Sequence, residues 1–332
     1  MMPSTEWKEI VAADEKERFA GYAAEVAAIQ KARAAKDGGV TRGFHPKMLA
    51  GVRAELEVLD GLPEHARHGL FAKPKKYDAW VRFSNGSIRV QDDRKGDVRG
   101  MAVKVLGVPG KKVIAALADA QTQDLSMIHV PKLEFRNAAE FMWFVGVAQK
   151  PLTLLPRLVG RFGLPRTLRL LRSLSKGTLK SIPTLAGEQF WSPMAIQLGP
   201  YAVRYSARPV APPPAPAKSK SPHYLGEDLA ARLREGAIVY EIEVRFFEDE
   251  ASTPIEDTSV EWKTPAVVVA RLTLVRQDVA GAEGKALAEK IEAASFNPWH
   301  ALEAHRPLGD MMRARDPAYL ASTTARGAAG EP

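Results

Sequence analysis

Short β-type segments, spaced without a regular alternation of strand and helix, limit what this chain can fold into more than any other feature. The clearest are Ala54 to Val58, Ala79 to Ser84 and Met101 to Val105, each bounded by Gly, Pro, Asp or Asn. Four more are expected at Asp124 to His129, Tyr201 to Tyr205, Ile238 to Phe247 and Ala266 to Arg276. A doubly wound parallel sheet needs a crossover helix after nearly every strand, and that alternation is missing. The expected class is therefore α+β, an antiparallel sheet or barrel with helices added around it.

Helical spacing is clear in three places. Thr5 to about Lys36 is rich in Ala, Glu and Lys, and Asp37-Gly38-Gly39 supplies the ending a helix needs, so an N-terminal helical arm over 1–37 is expected. A second helix is expected at Ala138 to Gln149. A third stretch, Leu152 to Lys176, interleaves leucines with Arg157, Arg161, Arg166, Arg169 and Arg172, and Pro156 and Pro165 should break it into short pieces. It reads as a docked helix pair with solvated arginines, or as a basic, leucine-rich segment in peripheral contact with a membrane. Residues 208–222, with Pro212-Pro213-Pro214-Ala215-Pro216, read as an extended exposed loop inserted in a single domain over 38–332.

Composition removes several functions. With no cysteine among 332 residues, disulfides, thiolate metal sites and cysteine nucleophiles are excluded. The net charge of +8 would suit nucleic acid, anionic lipid or an anionic cofactor, but no nucleic-acid reading motif, phosphate-binding glycine loop or His-Glu-x-x-His pair accompanies it. His65 with His68, and His300 with His305, lack partners at zinc-like spacing. No apolar run reaches membrane-spanning length and the N-terminus carries charges where a signal peptide is apolar, so the expected location is cytoplasmic.

Arg315 and Tyr319, four residues apart, share one face of a predicted helix. A guanidinium beside a phenol favours phenolate, whose free titration lies near ~10, and phenolate is a hard anionic ligand for ferric iron. Upstream lie Arg42-Gly43-Phe44-His45, Val81-Arg82-Phe83-Ser84 and Asp97-Val98-Arg99-Gly100-Met101-Ala102-Val103-Lys104.

That order, a histidine, Arg-Phe-Ser, Asp-x-Arg-Gly-x-Ala-x-Lys, a proline with Phe-Arg, then Arg-x-x-x-Tyr, resembles the catalase superfamily over residues of about 40 to 326. The ending Phe296-Asn297-Pro298-Trp299-His300 and His305-Arg306-Pro307-Leu308-Gly309 is most similar to the small catalase-related haem peroxidases. The resemblance implies haem b with Tyr319 as the iron ligand and Arg315 beside it. It makes His45 the distal acid–base group, oriented by Ser84. Arg42, Arg82 and Arg326 become propionate-binding arginines, Phe141 an aromatic stacked on the distal face, and Asp97 and Arg99 structural contacts. Where catalases carry a distal asparagine, Met127-Ile128-His129-Val130-Pro131 has none, and His129 takes the nearest position as a hydrogen-bond donor to peroxide.

The activity so implied is a haem-dependent peroxidase, reducing hydrogen peroxide or organic hydroperoxides through a ferryl intermediate at the expense of a small organic electron donor, with little catalase activity. Two alternatives stay open: a lipid hydroperoxide-processing enzyme of the allene oxide synthase kind, and a haem-free binding protein on the same fold. A homodimer joined through the N-terminal helix is the expectation by analogy.

Overall fold

A computed structural model describes residues 2–332. Nine strands form the sheet: β1 (Met48–Val58), β2 (Lys75–Asn85), β3 (Arg99–Leu106), β4 (Thr122–Ile128), β5 (Phe190–Trp191), β6 (Ile196–Leu198), β7 (Tyr201–Pro209), β8 (Ile238–Phe246) and β9 (Ala266–Leu274). Every pairing between these strands is antiparallel. Strand β5 pairs with both β4 and β7, so the sheet closes into an eight-stranded barrel, with β6 as an appended edge on β7. The class is α+β, as expected. Strands β5 and β6 carry too few residues to show a period, and the sequence does not announce them.

The barrel interior follows from alternation. In β1, Val52, Ala54, Leu56 and Val58 are buried while Arg53 and Glu55 are exposed. From Ala79 on, β2 is buried on both faces, because its outer face is covered too. Val81, Phe83, Met101, Val103, Leu125 and Met127 belong to the main core.

Six helices surround the barrel: α1 (Glu15–Asp37), α2 (Ala138–Ala148), α3 (Pro151–Ser173), α4 (Tyr224–Glu235), α5 (Ala282–Ala293) and α6 (Asp310–Ala325). The segment expected as one helix from Thr5 divides at Glu15. Before it the chain lies as a non-helical strap, held where Trp7 Nε1 donates to Pro200 O and where Glu9 meets Arg306 and Arg313. Helix α1 is not a free arm, since it packs along α6. Asn137 caps α2 by accepting from Glu140 N at 3.0 Å.

Helix α3 breaks at Gly163, at φ 73°, two residues before Pro165, and runs through Pro156. The expected break at Pro156 is absent. Gly163 takes a left-handed conformation open to glycine and so bears the whole change of direction.

Helices α4 and α5 were not foreseen. The first buries Leu225, Leu229 and Leu233 at four-residue spacing. The second lies so close to β1 that a Cβ on Gly51 would stand 3.2 Å from Ala288 Cα. Residues 210–222, after the end of β7, form the exposed proline-rich loop, and Pro222 O anchors its end by accepting from Lys47 Nζ at 2.9 Å.

The C-terminus is tied to the barrel by a buried ionic cluster. Lys104 Nζ donates to Asp124 at 2.7 Å and to Glu331 at 2.8 Å, and His300 Nδ1 lies 2.7 Å from Glu331. Although burial opposes it, contact with His300 and Lys104 holds the Glu331 carboxyl down to about 2. Asp124, His300 and Glu331 are arranged closely enough to grip a cation. The Lys104 ammonium already takes that place.

Candidate functional site

Strand register determines which residues share the outer face of β2, β3 and β4. Arg82 lies opposite Ala102 and Ala102 opposite Ser126, while Ser84 lies opposite Gly100 and Gly100 opposite Ile128. These six line a cavity of about 270 Å³. Its other walls are α1, through Tyr22 and Val26, the loop Arg42 to His45, Phe141 and Met142 of α2, and one stripe of α6. That stripe holds Met311, Ala314, Arg315, Ala318, Tyr319, Ser322 and Arg326, the spacing of a single helix face.

His45 is the one non-glycine residue at positive φ among those described, at 56°. Such a conformation costs an ordinary side chain roughly 1–2 kcal/mol and is characteristic of residues whose orientation matters more than their comfort. Two hydrogen bonds and one small neighbour hold it. Arg82 donates to its carbonyl at 3.0 Å, its Nδ1 shares a 2.9 Å hydrogen bond with Ser84 Oγ, and Gly100 leaves room for the ring. A Cβ on Gly100 would stand 2.7 Å from His45 Cε1 and 2.9 Å from Ser84 Oγ. The Gly of Asp-x-Arg-Gly is therefore a space for the imidazole.

Burial, with the charges of Arg82, Arg315 and Arg42, holds the His45 imidazole down to about 3. It is neutral at physiological pH. His129 and His305, both buried, are held down to about 4. Each of the three charges freely once the chain unfolds, so the unfolded state binds more protons below about pH 6.5. Stability should thus fall steadily as pH drops from about 6.5 towards 4, each histidine adding up to ~1.4 kcal/mol per pH unit. Urea midpoints measured across this range check it; a flat profile between pH 7 and 5 would contradict these burials.

Arg42, Arg82 and Arg326 converge on the C-terminal end of α5. Arg42 donates to the carbonyls of Glu292 and Ala294 at 2.8 and 2.9 Å, and Arg326 donates to Ala294 O at 2.7 Å. Arg82 Nε meets the Glu292 carboxylate at 2.8 Å. Arg42 and Arg82 thus share one carboxylate, itself 39% exposed, and Arg326 beside them bonds only backbone carbonyls. Burial and the neighbouring Arg82 and Arg326 bring Arg42 down to about 9 despite Glu292. Part of the arginines' work is to cap α5. The remaining surplus of cation suits an anionic ligand with more than one carboxylate.

The structure brings His45, Ser84, Arg42, Arg82, Phe141, Arg315, Tyr319 and Arg326 to one cavity. Phe141 packs against Phe44 and Phe135, with ring centroids 5.8 and 6.0 Å apart. The Arg315 guanidinium lies 5.9 Å from the centre of the Tyr319 ring. His129 is not brought there. Ser126, Met127 and Ile128 line the cavity, and His129, one residue past the end of β4, does not. His129 Nδ1 instead accepts from Arg99 N at 2.8 Å, and its backbone N donates back to Arg99 O. With its ring tied to Arg99 outside the cavity lining, His129 is not placed to donate to a peroxide there. Asp97 and Arg99 are structural as expected: Asp97 accepts from Ser87 N and Gln91 Nε2, and Arg99 binds the carbonyls of Asp93 and Lys95.

Sequence reasoning missed Glu292 and the small residues of the cavity face. Gly100, Ala102 and Ser126 on the sheet, and Ala314, Ala318 and Ser322 on α6, give the cavity two stretches of small side chains. The four-residue spacing of small side chains along α6 was the available signal. Glu292 gave none, because it sits on a helix that was not foreseen.

No protein-family model and no curated protein matches the chain. Solved structures do. A bacterial catalase aligns over 89% of this chain at 15% identity with a TM-score of 0.61, and a fungal catalase over 89% at 16% with 0.68. Catalase A from Saccharomyces cerevisiae aligns over 89% at 14% with 0.66. The chain spans about three fifths of each, 59%, 61% and 63% respectively. The chain has the catalase fold. Among the described residues no helix is long and apolar enough to cross a membrane.

The residues present fit the haem that the sequence resemblance implies. Two stretches of small side chains, one on the sheet and one on α6, a tyrosine beside an arginine on α6, and buried guanidiniums clustered in the lining make up a consistent set.

Proposed function

We propose that the cavity binds haem b and that the protein is a haem peroxidase, reducing hydrogen peroxide or an organic hydroperoxide with electrons from a small organic donor. One observation carries the reading: the His45–Ser84 pair and the Arg315–Tyr319 pair line the same cavity from different elements. Tyr319 would hold the iron through its phenol oxygen, with the Arg315 guanidinium beside its ring. Arg42, Arg82 and Arg326 would bind the propionates, and Phe141 would pack on the distal side. Haem, when bound, supplies the electron transfer that cleaves the peroxide bond.

The chain's own part is proton movement. Nδ1 of His45 is tied to Ser84, which leaves Nε2 as the nitrogen available to substrate. A neutral imidazole accepts the proton of the attacking peroxide oxygen and returns it to the departing oxygen, which leaves as water or an alcohol. No histidine with an ordinary titration would stay so completely in the accepting form near pH 6.

Peroxide dismutation requires a second peroxide to be held and oxidised. The position on β4 that faces the cavity at this level is Ile128, beside Val98 and Leu133, which offers peroxide no hydrogen bond. With hydrogen peroxide and a phenolic donor, donor oxidation should exceed oxygen release on the order of a hundredfold, the worth of one positioned polar group. Oxygen release as fast as donor oxidation would overturn the assignment to peroxidase. The apolar lining of Phe44, Val98, Ile128, Leu133, Phe141 and Met142 favours a second reading in which the substrate is a fatty-acid hydroperoxide.

A further inference from the structure

We infer that the outer face of α3 is a docking surface for an anionic phospholipid bilayer. Helix α3 uses one side to cover an aromatic cluster, burying Leu158 and Leu170 against Phe135. Its solvent-facing side carries further leucines that nothing in the molecule covers. Leu152 is 96% exposed and Leu155 54%; beyond the Gly163 break, Leu164, Leu168 and Leu171 continue at helical spacing, 56%, 57% and 37% exposed. A soluble helix has no use for two apolar faces.

Charge decides the occupant. Between Glu140 and Glu188 the chain has no acidic residue. Arg166 is paired, with Glu140 at 2.6 Å, but Arg157, Arg161, Arg169, Arg172 and Lys176 stand exposed among the leucines. A second copy of this chain would set cation against cation across a two-fold axis. Nucleic acid would satisfy the arginines and leave the leucines in water. An anionic bilayer satisfies both, with leucines entering the acyl boundary and arginines reaching the phosphates. The cluster under α3 includes Phe141, which also lines the cavity, so the docked face lies over a wall of the site. The docking itself does not depend on what the cavity binds.

Sedimentation with vesicles tests this on the intact chain. At low salt the protein should co-sediment with mixed phosphatidylserine and phosphatidylcholine vesicles and remain in solution with phosphatidylcholine alone. Leu164→Ser, Leu168→Ser and Leu171→Ser together should weaken binding at least about tenfold. Arg169→Glu with Arg172→Glu should weaken it about thirtyfold or more. Lys73→Glu with Lys218→Glu, an equal change of charge elsewhere on the surface, should change it less than about threefold. All of these side chains are exposed, and an unchanged unfolding midpoint verifies the fold. The inference is overturned if the wild type ignores phosphatidylserine vesicles or if the lysine variant loses as much as the arginine variant. It is equally overturned if the leucine variant abolishes a lipid-free dimer while leaving vesicle binding intact.

Discussion

Tyr319→Phe is expected to abolish peroxidase turnover and most of the protein's hold on haem. Phenylalanine preserves the ring on α6, its place beside Ala318 and Ser322 and its 5.9 Å approach to Arg315. It removes only the oxygen. In the proposed ligation that atom provides the charge that keeps ferric iron in place, and nothing else on this stretch of α6 replaces it: Arg315 is a cation, and Ser322 and Thr323 are hydroxyls with no tendency to ionise. The fold should persist, since the core does not depend on the hydroxyl. Haem titration followed by absorbance, alongside turnover with a phenolic donor, gives the result. Full turnover in the variant would remove Tyr319 from the site.

His45→Ala is expected to leave haem binding intact and to slow peroxide activation by roughly two to four orders of magnitude, the usual worth of a positioned acid–base group. The arginines that would bind the propionates keep their partners on α5, so retention should not suffer. The pH profile of the native protein provides an independent check. With the imidazole held down to about 3, the accepting form persists throughout the neutral and mildly acidic range. Activation should therefore show no acid limb near pH 6.5, and rates should decline only as pH approaches the region where the protein itself loses stability. A rate-controlling step with an apparent pKa near 6.5 would place the proton on some other group.

What was legible in the sequence depended on how local each signal was. The class of fold followed from strand spacing alone, because seven periodic segments without crossover helices leave few alternatives. The closure of the barrel did not, since it rests on the two residues of β5, Phe190 and Trp191, and on one pairing of Ile128 with Trp191. The pair on α6 was readable because helical period fixes which residues share a face. The arginines were readable as residue types, but their dependence on α5 was not: a helix more than two hundred residues downstream of Arg42 is a tertiary fact.

His129 shows the limit most clearly. Its chemistry fits a peroxide site and its position in the chain is off by a single residue. Ile128 holds the place in the cavity, and one residue on, past the end of β4, the histidine is tied to Arg99 instead. Packing explains Gly100, where a Cβ would stand 2.7 Å from His45 Cε1, so that its smallness is room for the imidazole. The start of α1 at Glu15 has a similar cause. The preceding residues have helix-compatible composition, yet Trp7 and Glu9 find partners on Pro200, Arg306 and Arg313 that a helix would place out of reach.

The most direct measurement is resonance Raman spectroscopy of the purified protein with ferric haem. One haem should be taken up per chain, with the vibrational modes of an iron-bound tyrosinate present in the native protein and absent from Tyr319→Phe. Failure to take up haem, or a tyrosinate signature that persists in the variant, would contradict the account.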